Sequence, residues 1–372
     1  MPTDKKSLPS TNNPGFSSSG HPNFAFTGQT DDSALHSHLA QVLRITPEPL
    51  QQIDDYSVHR LICEDLSAYL DYLDQGLQEI GRGTAQLTLP PKQLFQQPGE
   101  SGDFRVMPCV RTAADGRVHK TVKLVGTNRI GEQVPDQITV GKANYLHPQE
   151  NFISHQFDAC LLSSIRTGAC AALASKYLLN HDDQAGLSVA LVGAGRVGYY
   201  GLLCLLNSGA VASVQICDPT PGRTQNLTAL IGKQWPELSI ETSTYPQLSA
   251  CDLLILATDS PEPVYKPEDF ATRLVVSLGA DCVEQRELHR HQQWLDQNIY
   301  VDTADSVSFG DLHAWNLQQP LAASRLIDLP QLSITNTDSP NHGQPSALFV
   351  GTGSALMDNL TMSYLVARIG QN

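Results

Sequence analysis

The chain has 372 residues, 41% of them apolar and 17% charged, an ordinary globular make-up with length for about two domains, each with its own core. Its 38 Asp and Glu against 24 Lys and Arg give a net charge of -14, which disfavours nucleic acid and anionic membrane surfaces as partners. The eight scattered cysteines form no CxxC pair and no zinc-type spacing, no basic-then-apolar leader is visible, and no apolar run is long enough to cross a bilayer, so the expectation is a cytoplasmic, metal-free protein with reduced thiols.

In chain order, residues 1–30 are rich in Ser, Pro, Asn and Gly without an apolar period, which predicts a flexible tail. Apolar residues at helical spacing predict helices over 32–44 and 63–80, the second stopped by Gly81 and Gly83. Short strand-like runs at 104–110, 118–124 and 143–155 read as a separate strand-rich module. Small and apolar side chains at helical spacing over 157–179 then lead out of it.

An apolar strand at 187–192 feeds Gly193-Ala194-Gly195-Arg196-Val197-Gly198 and a small-residue helix, and about 20 residues on a second apolar run ends in Asp218. Strand, glycine turn, helix, strand and terminal acid in this order describe a dinucleotide-binding βαβ unit. Gly193 permits the tight turn, Gly195 lets the backbone approach a pyrophosphate, and Gly198 lets the helix close on the sheet. The amides of Arg196 and Val197 then begin a helix facing the phosphates. Asp218 is the expected partner of the ribose hydroxyls, and its charge repels the extra phosphate of NADP. NAD is therefore the expected cofactor, with Arg223 the nearby residue that could receive that phosphate.

A helix over 224–233 and strands at 239–242, 253–259, 274–281 and 299–303 continue the alternation, which predicts a doubly wound parallel sheet. Thr258, near the end of LLILATD, joins the expected cofactor contacts. A last amphipathic run over 354–369 returns to the first module. The expected fold is α/β, with a Rossmann domain over 181–339 and a strand-rich α+β domain built from both chain ends, 31–180 and 340–372.

Four polar residues beside predicted strand ends carry the chemistry. Lys123, in TVKLVGTN, faces either a pocket, where it can bind a carboxylate or imine nitrogen, or solvent. Arg166 is the one charged residue in SSIRTGACAALA, and its guanidinium needs an anion, either a substrate carboxylate or an internal acid such as Asp158. Arg105, just before Met107-Pro108, offers a second carboxylate contact, with Arg111 and Arg117 as competitors. Asp281 ends the run LVVSLGAD and is the proton-transfer candidate; as Glu284 follows at capping-box spacing, a helix N-cap is the other reading. His289 and His291 fall on the polar helix that such a cap would open.

These residues together resemble the ornithine cyclodeaminase/mu-crystallin family over roughly residues 60–368. The likeness rests on MPCV with the TVKLVGTN lysine strand, on SSIRTGACAALASKYL, LVGAGRVG and SLGADCVEQREL, and on the late GTGSALMDN. It implies a substrate and dimerisation domain beside the Rossmann domain, hence a homodimer. It also implies that Lys123, Arg166 and Arg105 bind an amino-acid substrate, that Asp281 handles the proton, and that Gly351, Thr352 and Asp358 approach the nicotinamide. Family members oxidise L-amino acids, reduce imines, cyclise ornithine or lysine with loss of ammonia, or act on N-carboxyalkyl amino acids. The expected reaction is hydride transfer between NAD and the α-carbon of an L-amino acid, an N-substituted amino acid or its imine. Cyclodeamination of ornithine or a related diamino acid is the alternative, and a noncatalytic NAD-binding protein is the third. Cys282-Val283-Glu284-Gln285 replaces the Pro-Gly-Lys turn of the ornithine-cyclising members, and VGTN resembles the siderophore-type dehydrogenases.

Overall fold

The computed structural model describes residues 32–97, 99, 102–179, 186–209, 211–335 and 346–370; the tail expected over 1–30 lies outside them. Residues 1–47 and 48–372 are separate units. In the first, the helix expected over 32–44 is α1 (Asp32–Leu43). The second opens with β1 (Gln51–Ile53), α2 (Asp55–Cys63), α3 (Leu66–Gly81), β2 (Gln86–Thr88), β3 (Gln93–Phe95), β4 (Phe104–Thr112), β5 (Val118–Thr127), β6 (Thr139–Leu146), β7 (Ile153–Asp158) and α4 (Ala159–Leu178). It continues through β8 (Leu187–Val192), α5 (Arg196–Asn207), β9 (Val211–Cys217), α6 (Pro221–Gln234), β10 (Ser239–Thr242), β11 (Cys251–Leu256) and β12 (Thr272–Ser277). Then come α7 (Gln292–Leu295), β13 (Ile299–Val301), α8 (Gly310–Gln318), β14 (Leu326–Asp328), α9 (Leu329–Leu332), β15 (Ala347–Val350) and α10 (Ala355–Ile369).

Strands β8, β11, β12 and β15 read LSVALV, CDLLIL, TRLVVS and ALFV and are buried almost throughout. Such unbroken apolar runs need cover on both faces, which only a parallel sheet between helical layers supplies. The sheet order is β10-β9-β8-β11-β12-β15-β13-β14, every pair parallel. Chain order reverses between β8 and β11, and ligands of such sheets sit beyond the strands' carboxyl ends at that switch point.

The other sheet, β1-β7-β6-β5-β4-β2 with β3 also on β4, is antiparallel apart from the β1–β7 pair. β4 alternates between exposed and buried positions because only one face is covered. Arg105, Met107, Cys109 and Arg111 point in, while Phe104 and Val110 point out. Helix α4, apolar or small on every side, is buried nearly along its whole length. Helix α10 packs on β4, β5 and α4.

Three expectations are corrected. The run over 63–80 is broken before Leu66, and a further helix, α2, precedes it: Asp54 accepts from Ser57 N at 2.8 Å and Asp65 from Ala68 N at 3.0 Å, so each starts its own helix. The Rossmann sheet does not end at 339, because β15 lies inside it between β12 and β13, and the chain crosses back only after Val350. No helix begins at Asp281, so it caps none; the Gln285 side chain accepts from the Asp281 and Cys282 amides and holds an irregular turn. His289 precedes α7, and His291 is its N-cap. Among the described residues no helix is long and apolar enough to cross a membrane.

Candidate active site

A cleft of about 1840 Å³ opens at the carboxyl ends of β8, β9, β11 and β12 and reaches across to β4, β5 and α4. One wall carries the glycine turn. Gly193 has φ +102°, and a Cβ there would stand 2.3 Å from the Ala257 carbonyl oxygen, so no other residue fits. Helix α5 starts at Gly195 with no side-chain cap, and a Cβ on Gly195 would meet nothing within 4 Å. Uncapped amides beside open space suit the pyrophosphate of a dinucleotide. Gly195, Arg196 and Val197 line the cleft, whereas Gly198 lies beneath the turn, against the Gly193 carbonyl.

Asp218 follows β9. Its carboxylate accepts from Ala194 N at 2.9 Å and Thr220 N at 2.8 Å, which ties it to the glycine turn and leaves one further acceptor site on each oxygen. Arg223 stands 4.0 Å away. Thr258 and Thr352 line the cleft further along. Gly351 does not. It is packed behind that lining, against Leu278 and Phe349, with its amide on the Ser277 carbonyl.

The opposite wall is the inner face of β4 and β5. Met107 pairs with Lys123 and Arg105 with Val125, so the strand period sets Arg105 and Lys123 diagonally on one face. Lys123 faces inward, fully buried at the cleft floor, where Nζ is 2.8 Å from both oxygens of Asp358 and 3.2 Å from Ser163 Oγ. Arg166 Nε also donates to Asp358, at 2.8 Å. The internal acid that meets Arg166 is thus Asp358 of α10 and not Asp158. Burial and the nearby Arg166 push the Lys123 ammonium down to about 7, against the pull of Asp358. Burial works to raise the Asp358 carboxyl, but the two cations prevail and hold it below the usual carboxylate range.

Asp281 lies past the end of β12, on the turn held by Gln285, with 44% of its side chain exposed toward the cleft. Burial opposes its ionisation, yet Arg105 and Lys92 outweigh that and keep its carboxyl low. Arg105 Nη1 donates to it at 2.9 Å, and the rest of the Arg105 fork grips Asp103.

Sequence reasoning missed several residues of this region. Lys92, before β3, buries its Nζ against the carbonyl oxygens of Thr352 and Gly353 at 2.6 and 3.4 Å and over the Phe309 ring. Asp302, past β13, accepts from the Thr352 and Gly353 amides and from Ser306. Glu287 accepts from the Thr258 and Gly279 amides and from Ser277 Oγ, which locks together the loops after β11 and β12. For Lys92 and Asp302 the signal available was only a charged residue beside an apolar run, while Glu287 lies within SLGADCVEQREL without standing out there.

The family model for the ornithine cyclodeaminase/mu-crystallin family matches residues 55–321. The chain belongs to this family. Alanine dehydrogenase of Archaeoglobus fulgidus is 25% identical over 222 residues, 59% of this chain and 64% of that protein. Among solved structures, an archaeal alanine dehydrogenase dimer with bound NAD superposes at TM-score 0.72 and 20% identity, covering 86% of this chain and 96% of that one. The Thermococcus litoralis Δ1-pyrroline-2-carboxylate reductase in complex with NADH and L-proline gives 0.73 at 17% identity, covering 86% and 97%. A lysine cyclodeaminase gives 0.69 at 21%, covering 87% and 93%. At these identities the likeness to the solved structures is one of fold.

Proposed function

We propose that this family member is an NAD-dependent oxidoreductase that moves a hydride between the nicotinamide and the α-carbon of an L-amino acid, an N-substituted amino acid or its imine. One observation carries the reading: a single cleft joins the glycine turn and Asp218 on one wall to Lys123, Arg166 and Asp281 on the other. The alanine dehydrogenase and pyrroline-carboxylate reductase structures, with NAD and NADH in their complexes, support it. NAD, when bound, supplies the hydride acceptor at C4 of its ring.

The chain's own residues do the rest. The α5 amides and the glycine turn hold the pyrophosphate, and Asp218 takes the ribose hydroxyls through its remaining acceptor sites. Lys123 keeps a third N–H beyond those engaged by Asp358 and Ser163, and Arg166 keeps its Nη2 beside Gly353. These two bind the substrate carboxylate and orient the α-carbon. Asp281, a carboxylate at neutral pH, accepts the proton released at the amine nitrogen or at an attacking water.

Purified protein is incubated with NAD and a panel of L-amino acids and N-substituted amino acids, and both reduced cofactor and free ammonia are followed. Net NADH supports dehydrogenation; ammonia without net NADH makes the chain a cyclodeaminase instead; if neither product forms, the proposal is overturned. We further propose a homodimer. Phe95 stacked on Phe104, with Val110 and Leu124, leaves apolar side chains exposed on the mixed-sheet region, and light scattering reads the mass.

A further inference from the structure

Arg105 sits beside the proposed substrate cations, but its guanidinium is committed to acids of its own chain. Nε and Nη2 grip the Asp103 carboxylate at 3.1 and 3.0 Å, Nη1 donates to Asp281 at 2.9 Å, and Nη2 also lies 2.8 Å from Cys282 Sγ. One of the five N–H donors remains. Asp103 is held in turn, since its Oδ1 accepts from Thr127 Oγ1 and its carbonyl from Thr127 N.

Exposure grades along this chain of contacts: the Arg105 and Asp103 side chains are 6% and 7% exposed, against 44% for Asp281. The inner end is therefore fixed and the outer end opens to the cleft. A guanidinium fork sets direction as well as distance, which a single point charge does not. Asp103 and Arg105 come from the start of β4 in the mixed sheet and Asp281 from the turn after β12 in the parallel one, so the contact also registers the two walls against each other.

We propose that Arg105, clamped by Asp103, is a positioning residue that aims the Asp281 carboxylate across the cleft and does not anchor substrate. The proposal rests on the oxidoreductase reading of this cleft. The other groups that face Asp281 are Lys92, whose charge also favours its carboxylate form, Cys282, with Sγ 3.4 Å from Oδ1, and Asp103 beyond Arg105. Losing Arg105 leaves Asp281 beside Asp103 with Lys92 as the remaining cation.

The test uses Arg105→Gln, Arg105→Lys and Asp103→Asn in the full chain. Two readouts run in parallel: kcat and amino-acid KM against pH at saturating NAD, and an NMR titration of Asp281 in carboxyl-labelled protein, assigned from the Asp281→Asn spectrum. In Arg105→Gln the acid limb of kcat and the Asp281 titration both rise by about one pH unit or more. Its kcat falls while KM stays within about threefold. Arg105→Lys, which keeps the charge without the fork, retains the limb but not the rate, and Asp103→Asn lowers kcat without raising KM. A merely structural role would reduce the folded fraction and leave both titrations in place, which overturns the proposal. A KM raised about tenfold with an unmoved limb overturns it too, by making Arg105 a substrate anchor. The NMR arm needs no turnover: if the wild type oxidises nothing, the oxidoreductase reading fails, while an Asp281 titration unmoved by Arg105→Gln separately refutes the positioning role.

Discussion

Asp358→Asn removes the one buried anion shared by Lys123 and Arg166 and keeps the side chain's shape. Each of its contacts lies at 2.8 Å, and charge centres about 4 Å apart at an effective dielectric near 20 are worth about 4 kcal/mol each. Freeing the carboxylate from its own desolvation offsets several kcal/mol of that sum, which leaves a loss of about 3–5 kcal/mol, the usual cost of stripping one partner from a buried pair. Urea unfolding reads it as a lower midpoint at constant slope.

The loss also depends on pH in a stated direction. Lys123 in the wild type gives up its proton near 7, far below its unfolded value, and without Asp358 it does so at lower pH still. Between about pH 6 and 8 the folded variant therefore binds fewer protons than the folded wild type, so the stability gap narrows as pH rises. Arg166 keeps its charge and cannot relieve its share. A loss under about 1 kcal/mol, or a gap that widens with pH, would refute this account of the triad.

Asp281→Asn should lower turnover by about 10²–10⁴-fold while NAD binding, read by calorimetry, stays near that of the wild type; unchanged turnover removes Asp281 from the proton step. Asp218→Ala should weaken the preference for NAD over NADP, and an unaltered ratio of Kd values counts against the ribose contact. Gly193→Ala should lose both stability and dinucleotide affinity, since its Cβ would clash with the Ala257 carbonyl at 2.3 Å under an already left-handed φ; a variant that melts and binds like the wild type would show that the turn can shift.

The parallel sheet was legible because its apolar runs and glycine turn are local signals, complete within a few neighbouring residues. Lys123, Arg166 and Asp281 stood out for the same reason, as charges set in apolar surroundings. Their partners were harder to read. Lys123 meets Asp358 across 235 positions and Arg105 meets Asp281 across 176, and nothing in the chain near either acid announces such a pairing. The turn after Asp281 misled because Glu284 stands at capping-box spacing, while the side chain that folds the turn is Gln285. Lys92, Asp302 and Glu287 are invisible one residue at a time, since each acts on backbone groups of distant loops.

Strand β15 lies in the interior of the parallel sheet although it is nearly the last segment of the chain. During synthesis, β13 and β14 emerge first and can pair with each other, yet they cannot join the rest of the sheet until residues 347–350 leave the ribosome. The nascent protein thus carries a split sheet, with an open edge on β12, from the completion of Ser277 until Ala347 is made. A premature stop anywhere before Ala347 leaves that gap unfilled and hands quality control a chain with unpaired apolar strands.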